Sequence, residues 1–145
     1  MLIAISRHIE NQGLATGTPP VVFAAFQTAD WFTPATRRRY TVLARHCPLV
    51  VALGAGLQVD VGSGIRGADL APDDRLLGEW TVVVVGPHYT GALIARDLGD
   101  DGPDADRRCA FRVTHDRDLA LAAARSLLMR VDADLTRART TDVAA

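Results

Sequence analysis

The hydrophobic positions near the start of the chain have helical spacing and then change to a continuous run. Leu2, Ile5 and Ile9 are three and four residues apart, which predicts a short amphipathic helix over about 2–12. Residues 21–26 are uniformly apolar and are followed by a glutamine, a pattern typical of a buried strand. The chain therefore opens with a helix followed by a strand in the core.

A capped helix and a second strand follow. Thr33 can cap free backbone N–H groups and Pro34 suits the first helical turn, so we predict a helix from there to about His46. Pro48 prevents the helix from continuing, and residues 49–53 form a second apolar run. Because strand, helix and strand occur in sequence, we expect the two strands to be parallel and joined by a right-handed crossover.

The segment 54–78 has a composition that disfavours regular structure. It contains six glycines and one proline, and it predicts at most a short strand around 57–61. An irregular connection of this length inside a small domain is usually a lid or a binding loop.

Residues 80–85 give the strongest strand signal in the chain. They are rich in valine and nearly all apolar, so we place this strand centrally with both faces covered. We expect 89–98 to pair back on it and 109–113 to add a further strand, with an acidic loop over 99–107 between them. These three strands would form an antiparallel meander.

A last helix completes the predicted fold. Thr114 or Asp116 can cap it, and its apolar spacing continues to about Val131. The fold class is therefore α/β (α+β), with a mixed β-sheet of about five strands flanked by helices. We expect a single domain over 1–131 and a polar, frayed tail over 132–145.

The composition narrows the class of protein. The chain has 145 residues, a net charge of −1 and 48% hydrophobic residues, which excludes intrinsic disorder and favours one domain. No apolar run approaches the roughly 20 residues of a membrane span, and the first residues lack a signal-peptide pattern. The two cysteines suggest neither a disulfide framework nor a metal site. We therefore expect a cytoplasmic protein without membrane contact.

The charged residues point to no particular partner. All 16 basic residues are arginine, which is typical of a high-GC coding bias, and they are balanced by 17 acidic residues. A dedicated nucleic-acid binder usually carries a basic excess, so no direct nucleic-acid binding is expected.

Sequence patterns of enzymes and metal sites are absent. The chain has no Gly-x-Ser-x-Gly nucleophile motif, no closely spaced histidine pair and no standard phosphate-binding glycine loop. Cys109 lies in an apolar strand pattern, where cysteine is more often an inert core residue than a nucleophile. We therefore predict a protein that is not an enzyme.

Aromatic and polar residues near the predicted strand ends are candidates for a ligand pocket. If the first and central strands are neighbours, Phe26 and Trp80 can form its apolar walls; the alternative is that these rings are ordinary core. The polar candidates are Gln27, His88, Tyr89, Arg96 and His115.

Short motifs occur in four consecutive blocks along residues 5–131. The blocks contain Phe26-Gln27 and Arg38-Arg39-Tyr40, then Gly64-Ile65-Arg66-Gly67 and Glu79-Trp80, then Pro87-His88-Tyr89 and Ala95-Arg96-Asp97, then Thr114-His115-Asp116-Arg117. In these motifs the chain resembles the DICT domain, a sensory domain named for its occurrence in diguanylate cyclases and two-component systems.

The resemblance implies a sensory domain that binds an unknown signal, either a small molecule or a cofactor. Linked outputs in this family are often a kinase, a cyclase or a winged-helix DNA-binding domain, and these residues leave no room for one. We therefore expect regulation of a signalling or transcription-regulatory partner in trans, unless the chain is an excised fragment. The resemblance adds Arg38 and Arg66 to the candidate ligand-binding residues.

Other functions stay open at this point. A homodimer through the free faces of the first or last helix is one expectation. The alternatives to a ligand sensor are a protein-interaction adaptor without a ligand, a haem or redox sensor that uses His88 or Cys109, and a hydrolase of unknown type.

Overall fold

The computed structural model describes residues 1–99 and 108–144, so the loop predicted over 99–107 lies outside the described residues apart from Gly99. Two short 3₁₀ turns, Ala29–Trp31 and Arg75–Gly78, accompany the helices and strands. The helices are α1 (Leu2–Leu14), α2 (Pro34–His46) and α3 (Arg117–Ala144). The strands are β1 (Val21–Thr28), β2 (Leu49–Ala55), β3 (Asp60–Gly62), β4 (Ile65–Ala68), β5 (Glu79–Val85), β6 (Thr90–Asp97) and β7 (Cys109–Thr114).

These strands form one mixed sheet in the order β3-β4-β2-β1-β5-β6-β7. The central strand β1 pairs in parallel with β2 and antiparallel with β5. On the parallel side β4 follows β2, and on the antiparallel side β6 and β7 continue the meander. The predicted parallel pair and the predicted meander are both confirmed, and they meet at β1.

The first face of the sheet is covered by α1 and α2 and has an aromatic core. Phe26, Phe32 and Tyr40 are buried there together with aliphatic residues of the sheet. Thr33 caps α2, because its hydroxyl accepts a hydrogen bond from the Thr36 N–H at 3.3 Å. The predicted start of this helix is therefore confirmed.

The second face is covered by α3 and has a mainly aliphatic core that also includes Phe23. At the start of the helix, the Arg117 guanidinium donates to Gly86 O at 2.9 Å and to Thr90 Oγ1 at 3.1 Å. Near its other end, Asp134 accepts a hydrogen bond from the Asp69 N–H at 3.2 Å. The helix thus crosses the sheet from the β5–β6 turn to the end of β4. Its buried apolar residues among those described recur at helical spacing and are Ala120, Ala124, Leu127 and Val131.

Two strands lie in the glycine-rich segment, so the described sheet has seven strands instead of about five. β3 and β4 form an antiparallel pair, and β4 also pairs with β2. Gly67 shows why a glycine stands inside a strand: a Cβ atom there would lie 1.8 Å from Gln58 O. A glycine that suggests a flexible loop is therefore required by close backbone packing.

The last helix is longer than predicted: α3 continues to Ala144, so the predicted frayed tail is helical over 132–144, and residue 145 lies outside the described residues. Arg137 Nη2 donates to Asp69 O at 2.9 Å and thereby anchors this polar region to the end of β4. Such tertiary contacts are invisible in the helix's own sequence. No helix in the described ranges, including the 28-residue α3, has the length and apolarity to cross a membrane.

Candidate functional site

The predicted site residues fall at opposite ends of the β5–β6 hairpin. His88 and Tyr89 lie in the turn between the two strands, whereas Arg96 pairs with Glu79 at the far end. Thr90 and Arg96 are six positions apart on β6, which is about 20 Å in an extended strand. One pocket that contacts both groups is therefore not formed, because the strand length separates them. Their individual roles in ligand binding stay predictions.

At the turn end, Tyr89 packs against His115. Their ring centroids are 5.7 Å apart in an edge-on arrangement, and His115 Nδ1 lies 3.1 Å from Thr90 O. The Tyr89 hydroxyl is buried without a hydrogen-bond partner among the described residues, and burial raises its pKa. A Cβ on Gly91 would lie 2.7 Å from this hydroxyl. His88 and His115 are both exposed, so this end presents two imidazoles to solvent, and that of His115 packs against Tyr89.

Phe26 and Trp80 are neighbours in the aromatic core beneath α1 and α2. The Phe26 ring centroid is 5.1 Å from that of Phe32 and 5.4 Å from those of Tyr40 and Trp80, all edge-on. Trp80 Nε1 also donates to Ser6 Oγ at 3.3 Å. Since Phe26 is fully buried among these rings, it is better described as a residue of the hydrophobic core than as the wall of a ligand pocket.

Gln27, Arg38 and Arg66 lie apart from one another. Gln27 lies at an irregularity in the β1–β2 pairing and has a φ of 64°, a left-handed conformation that costs a non-glycine residue on the order of 1 kcal/mol. Arg38 is exposed on α2. Arg66 lies on β4, and its Nη2 atom is buried without a hydrogen-bond partner among the described residues. Only Gln27 shares the sheet end that carries Arg96, because β1 ends beside the start of β5.

An open cleft lies at this end of the sheet. Its volume is about 350 Å³, and Glu79 and Arg96 face each other across the first pair of the hairpin. Arg96 Nη2 donates to Glu79 Oε1 at 2.7 Å. The Arg96 side chain is 59% exposed and that of Glu79 only 12%, so a nearly buried carboxylate orients an accessible guanidinium. The cleft is lined by Arg75, Gly78, Glu79, Arg96 and Asp97.

The 3₁₀ turn Arg75–Gly78 forms one wall of the cleft and is capped by Asp74. Its carboxylate accepts hydrogen bonds from the Leu76 N–H at 2.9 Å and from Arg130 Nε at 2.7 Å. Burial by itself would raise the pKa of Asp74, but the hydrogen bonds from Arg130 and Leu76 and the nearby positive charge lower it. The wall of the cleft is thereby tied to α3.

A buried charge network joins α1 to α2 on the first face. Glu10 Oε1 accepts a hydrogen bond from the Tyr40 hydroxyl at 2.9 Å, and Glu10 Oε2 forms an ion pair with Arg39 Nε at 2.9 Å. Burial raises the pKa of Glu10, while the Arg39 charge and the Tyr40 hydrogen bond oppose the rise. Because Glu10 is only 1% exposed, the network connects helices and is closed to a ligand.

Glu79, Glu10 and Arg75 belong to these two sites but were not among the predicted site residues. A signal for Glu79 exists, since counting back from the predicted turn places it opposite Arg96. A signal for Glu10 also exists, because it follows Ile9 on the apolar side of the predicted helix. No comparable signal marks Arg75, whose position depends on how the glycine-rich segment folds.

The elements together define a three-layer α/β sandwich domain with an open polar cleft at one end of a mixed sheet. Within the described parts of the chain, no group of three His, Cys, Asp or Glu residues is placed to hold a metal ion.

A family model described as a sensory domain in diguanylate cyclases and two-component systems, DICT, matches residues 1–98. The chain therefore belongs to the DICT family of sensory domains, which confirms the resemblance in its motifs. The match extends from α1 through β6 and includes the cleft residues, whereas β7, α3 and the motif at 114–117 follow it. Comparisons with curated proteins and with solved structures give no match.

Proposed function

We propose that this chain senses a small polar molecule at the Glu79–Arg96 cleft and regulates a partner protein in trans without catalysing a reaction. The observation that carries this proposal is the accessible Arg96 guanidinium, which a nearly buried carboxylate holds in place. A guanidinium that is fixed in this way suits bidentate recognition of a carboxylate or a phosphate.

The composition of the cleft narrows the chemistry of the ligand. Arg75 and Arg96 supply positive charge, while Glu79 and Asp97 supply carboxylates that accept hydrogen bonds. The ligand is therefore a compact molecule that combines an acidic group with a hydroxyl or ammonium donor. The cleft volume of about 350 Å³ fits a molecule of metabolite size.

The contacts of the cleft wall supply a route for the signal. Asp74 caps the turn that bears Arg75 and also accepts a hydrogen bond from Arg130 on α3. A ligand that repositions Arg75 would act on this turn and hence on α3. A regulatory partner that binds α3 would receive the change.

A thermal-shift screen tests the ligand site, with amino acids, dicarboxylates and nucleotides as the probe classes. We expect one class to raise the Tm of the wild-type chain by several degrees, since a ligand at 100 times its Kd stabilises by about 2.7 kcal/mol. Arg96→Ala should abolish this shift, and Arg96→Lys should reduce it because the bidentate geometry is lost. Arg45→Lys, at an exposed position of α2, is the matched control and should keep the full shift. An equal shift in Arg96→Ala, or no shift from any class, would contradict the proposal.

A protein-interaction adaptor is the second candidate, and β7 favours it. Phe111 and Val113 are 45% and 40% exposed on one face of this strand, which lies at the edge of the described sheet. This function predicts that Phe111→Ser weakens partner binding while Arg96→Ala leaves it intact. The haem or redox alternative stays a prediction, as do the cytoplasmic setting and the identity of the partner.

A further inference from the structure

The long helix α3 carries a second apolar row that does not face the sheet. Leu121, Leu128 and Leu135 recur every seven residues along the helix. Leu128 is 42% exposed, the other two are only partly buried, and none of the three belongs to the cluster that packs beneath α3. A seven-residue apolar period on a helix is typical of a surface that packs against another helix.

This row lies on the free flank of α3. Residues two positions apart on a helix point about 160° away from each other. Arg130 and Arg137, two positions beyond Leu128 and Leu135, contact Asp74 and Asp69 O respectively. The leucine row therefore points away from the side on which Arg130 and Arg137 tie α3 to the cleft wall and to the end of β4.

Charged residues of alternating sign border the leucine row at the same seven-residue spacing. Each precedes one leucine by three residues or follows one by four, which places it beside the row on the helix surface. All are exposed, and the ion pairs among the described residues include none of them. In chain order they are Asp118, Arg125, Asp132 and Arg139.

We propose that α3 packs against α3 of a second copy of this chain in antiparallel orientation, with the leucine row at the centre of the contact. When the two helices cross near Leu128, Arg125 lies opposite the partner's Asp132, and Asp118 lies opposite the partner's Arg139. The same alignment brings Leu121 close to the partner's Leu135. By the two-fold symmetry of the pair, each of these contacts occurs twice.

The charge pattern selects this orientation over a parallel one. In a parallel pair, each charged residue would lie level with its own copy, so that Asp118 would approach a second aspartate and Arg125 a second arginine. Like charges at a helix interface disfavour pairing, and opposite charges set both partner and orientation. Only the antiparallel arrangement converts the alternating charges into complementary pairs.

The oligomeric state of the full chain, measured by sedimentation equilibrium over a concentration series, tests the proposal and is independent of any ligand. We expect a monomer–dimer equilibrium whose dissociation constant rises about tenfold between low and high salt, because the bordering charges are exposed and screened. Arg125→Asp and Asp132→Arg should each weaken the dimer about tenfold, since each replaces two attractive contacts by repulsive ones. An equimolar mixture of the two variants should dimerise again, because one copy then carries two acids and the other two bases.

Two leucine variants separate the proposed surface from the rest of α3. Leu128→Asp places a charge at the centre of the row and should give a monomer at every concentration. Leu119→Asp is the matched control, since Leu119 is 51% exposed on the opposite flank, and it should leave the dimer unchanged. Circular dichroism should confirm an unaltered fold in both. A wild-type monomer at all concentrations, a dimer that survives Leu128→Asp, or charge variants that dimerise as well as the wild type would overturn the proposal.

Discussion

The two faces of the sheet are stabilised by different kinds of contact. Under α1 and α2, edge-on aromatic rings surround Phe26, and the charge of Glu10 is buried against Arg39 and Tyr40. Under α3, the buried side chains are alanine, leucine and valine together with Phe23, and ionic contacts such as Asp74–Arg130 lie at the rim. The pKa of the Glu10 carboxyl is raised on the first face, whereas the pKa of the Asp74 carboxyl is lowered at the rim of the second.

This difference separates charged residues that stabilise the fold from charged residues that are accessible to a ligand. A buried carboxylate needs its countercharge, because an unpaired charge in the core is strongly unfavourable. At the rim, Arg96 is oriented by Glu79 and stays open to solvent. Candidate binding residues are therefore found at the rim, whereas the buried network of Glu10, Arg39 and Tyr40 connects α1 to α2.

The largest effect should come from the aromatic core. Phe26→Ala removes a fully buried ring that contacts three others, and we expect a loss of about 4 kcal/mol in the free energy of unfolding. Urea denaturation followed by circular dichroism measures it. Leu127→Ala is the matched truncation under α3 and should cost less, near the 2 to 3 kcal/mol end of the range for leucine. If the two costs were equal, the two cores would not differ in packing as described.

Breaking the buried ion pair should have the next largest effect. Arg39→Ala leaves the Glu10 carboxylate buried without its countercharge, so we expect a loss of about 3 kcal/mol near neutral pH. The folded-state pKa of Glu10 is already raised by burial, and it rises further in this variant. A raised carboxyl pKa means that the folded state binds the proton more tightly, so protonation on acidification stabilises it.

The deficit of Arg39→Ala should therefore shrink as the pH falls, in a window above the ordinary glutamate pKa of about 4.3. Urea denaturation at several pH values measures this dependence. Arg38→Ala, the exposed neighbour on α2, should change stability little at any pH. A deficit that stays constant down to that pKa would show that Glu10 is not the group left unpaired.

The rim pair should have the smallest effect and the opposite pH window. Asp74→Asn weakens the contact with Arg130, and because both side chains are partly exposed we expect a loss of about 1 kcal/mol. The folded-state pKa of Asp74 is lowered, so its contribution is present above the ordinary aspartate pKa of about 3.9 and is lost as the pH falls through the folded value. The loss of stability in Asp74→Asn, measured by thermal denaturation, should therefore persist at pH values where the loss in Arg39→Ala has vanished. Deficits that disappear together would remove the distinction between the two faces.

The sequence predicted the elements whose signals are local. The Thr33 cap, the valine run of β5 and its pairing with β6 were all found, because capping and β-branched runs depend on neighbouring residues. The β3–β4 pair was missed because Gly67 has a tertiary cause, the close approach of Gln58 O. The end of α3 was missed because Asp69 holds it from a distant part of the chain.

For the candidate site, residue types were easier to predict than their convergence. Arg96 was singled out and does line the cleft. Gln27 was grouped with it and lies at the same end of the sheet, whereas His88 was also grouped with it but lies at the other end, because β5 and β6 run through the whole layer. Register and strand length decide which candidates meet, and neither can be read from single positions.

The position of β1 in the middle of the sheet also bears on how the chain becomes folded as it is synthesised. One edge of β1 pairs with β2, which follows it closely in the chain. The other edge pairs with β5, so Val21 has no partner until Val85 has been synthesised. Until β5 leaves the ribosome, a nascent chain therefore exposes an apolar strand edge at what will become its centre. Contacts between such distant residues form slowly, and exposed edges favour aggregation. Production of this domain should accordingly depend on how quickly β5 is translated and on chaperones that cover β1 until then.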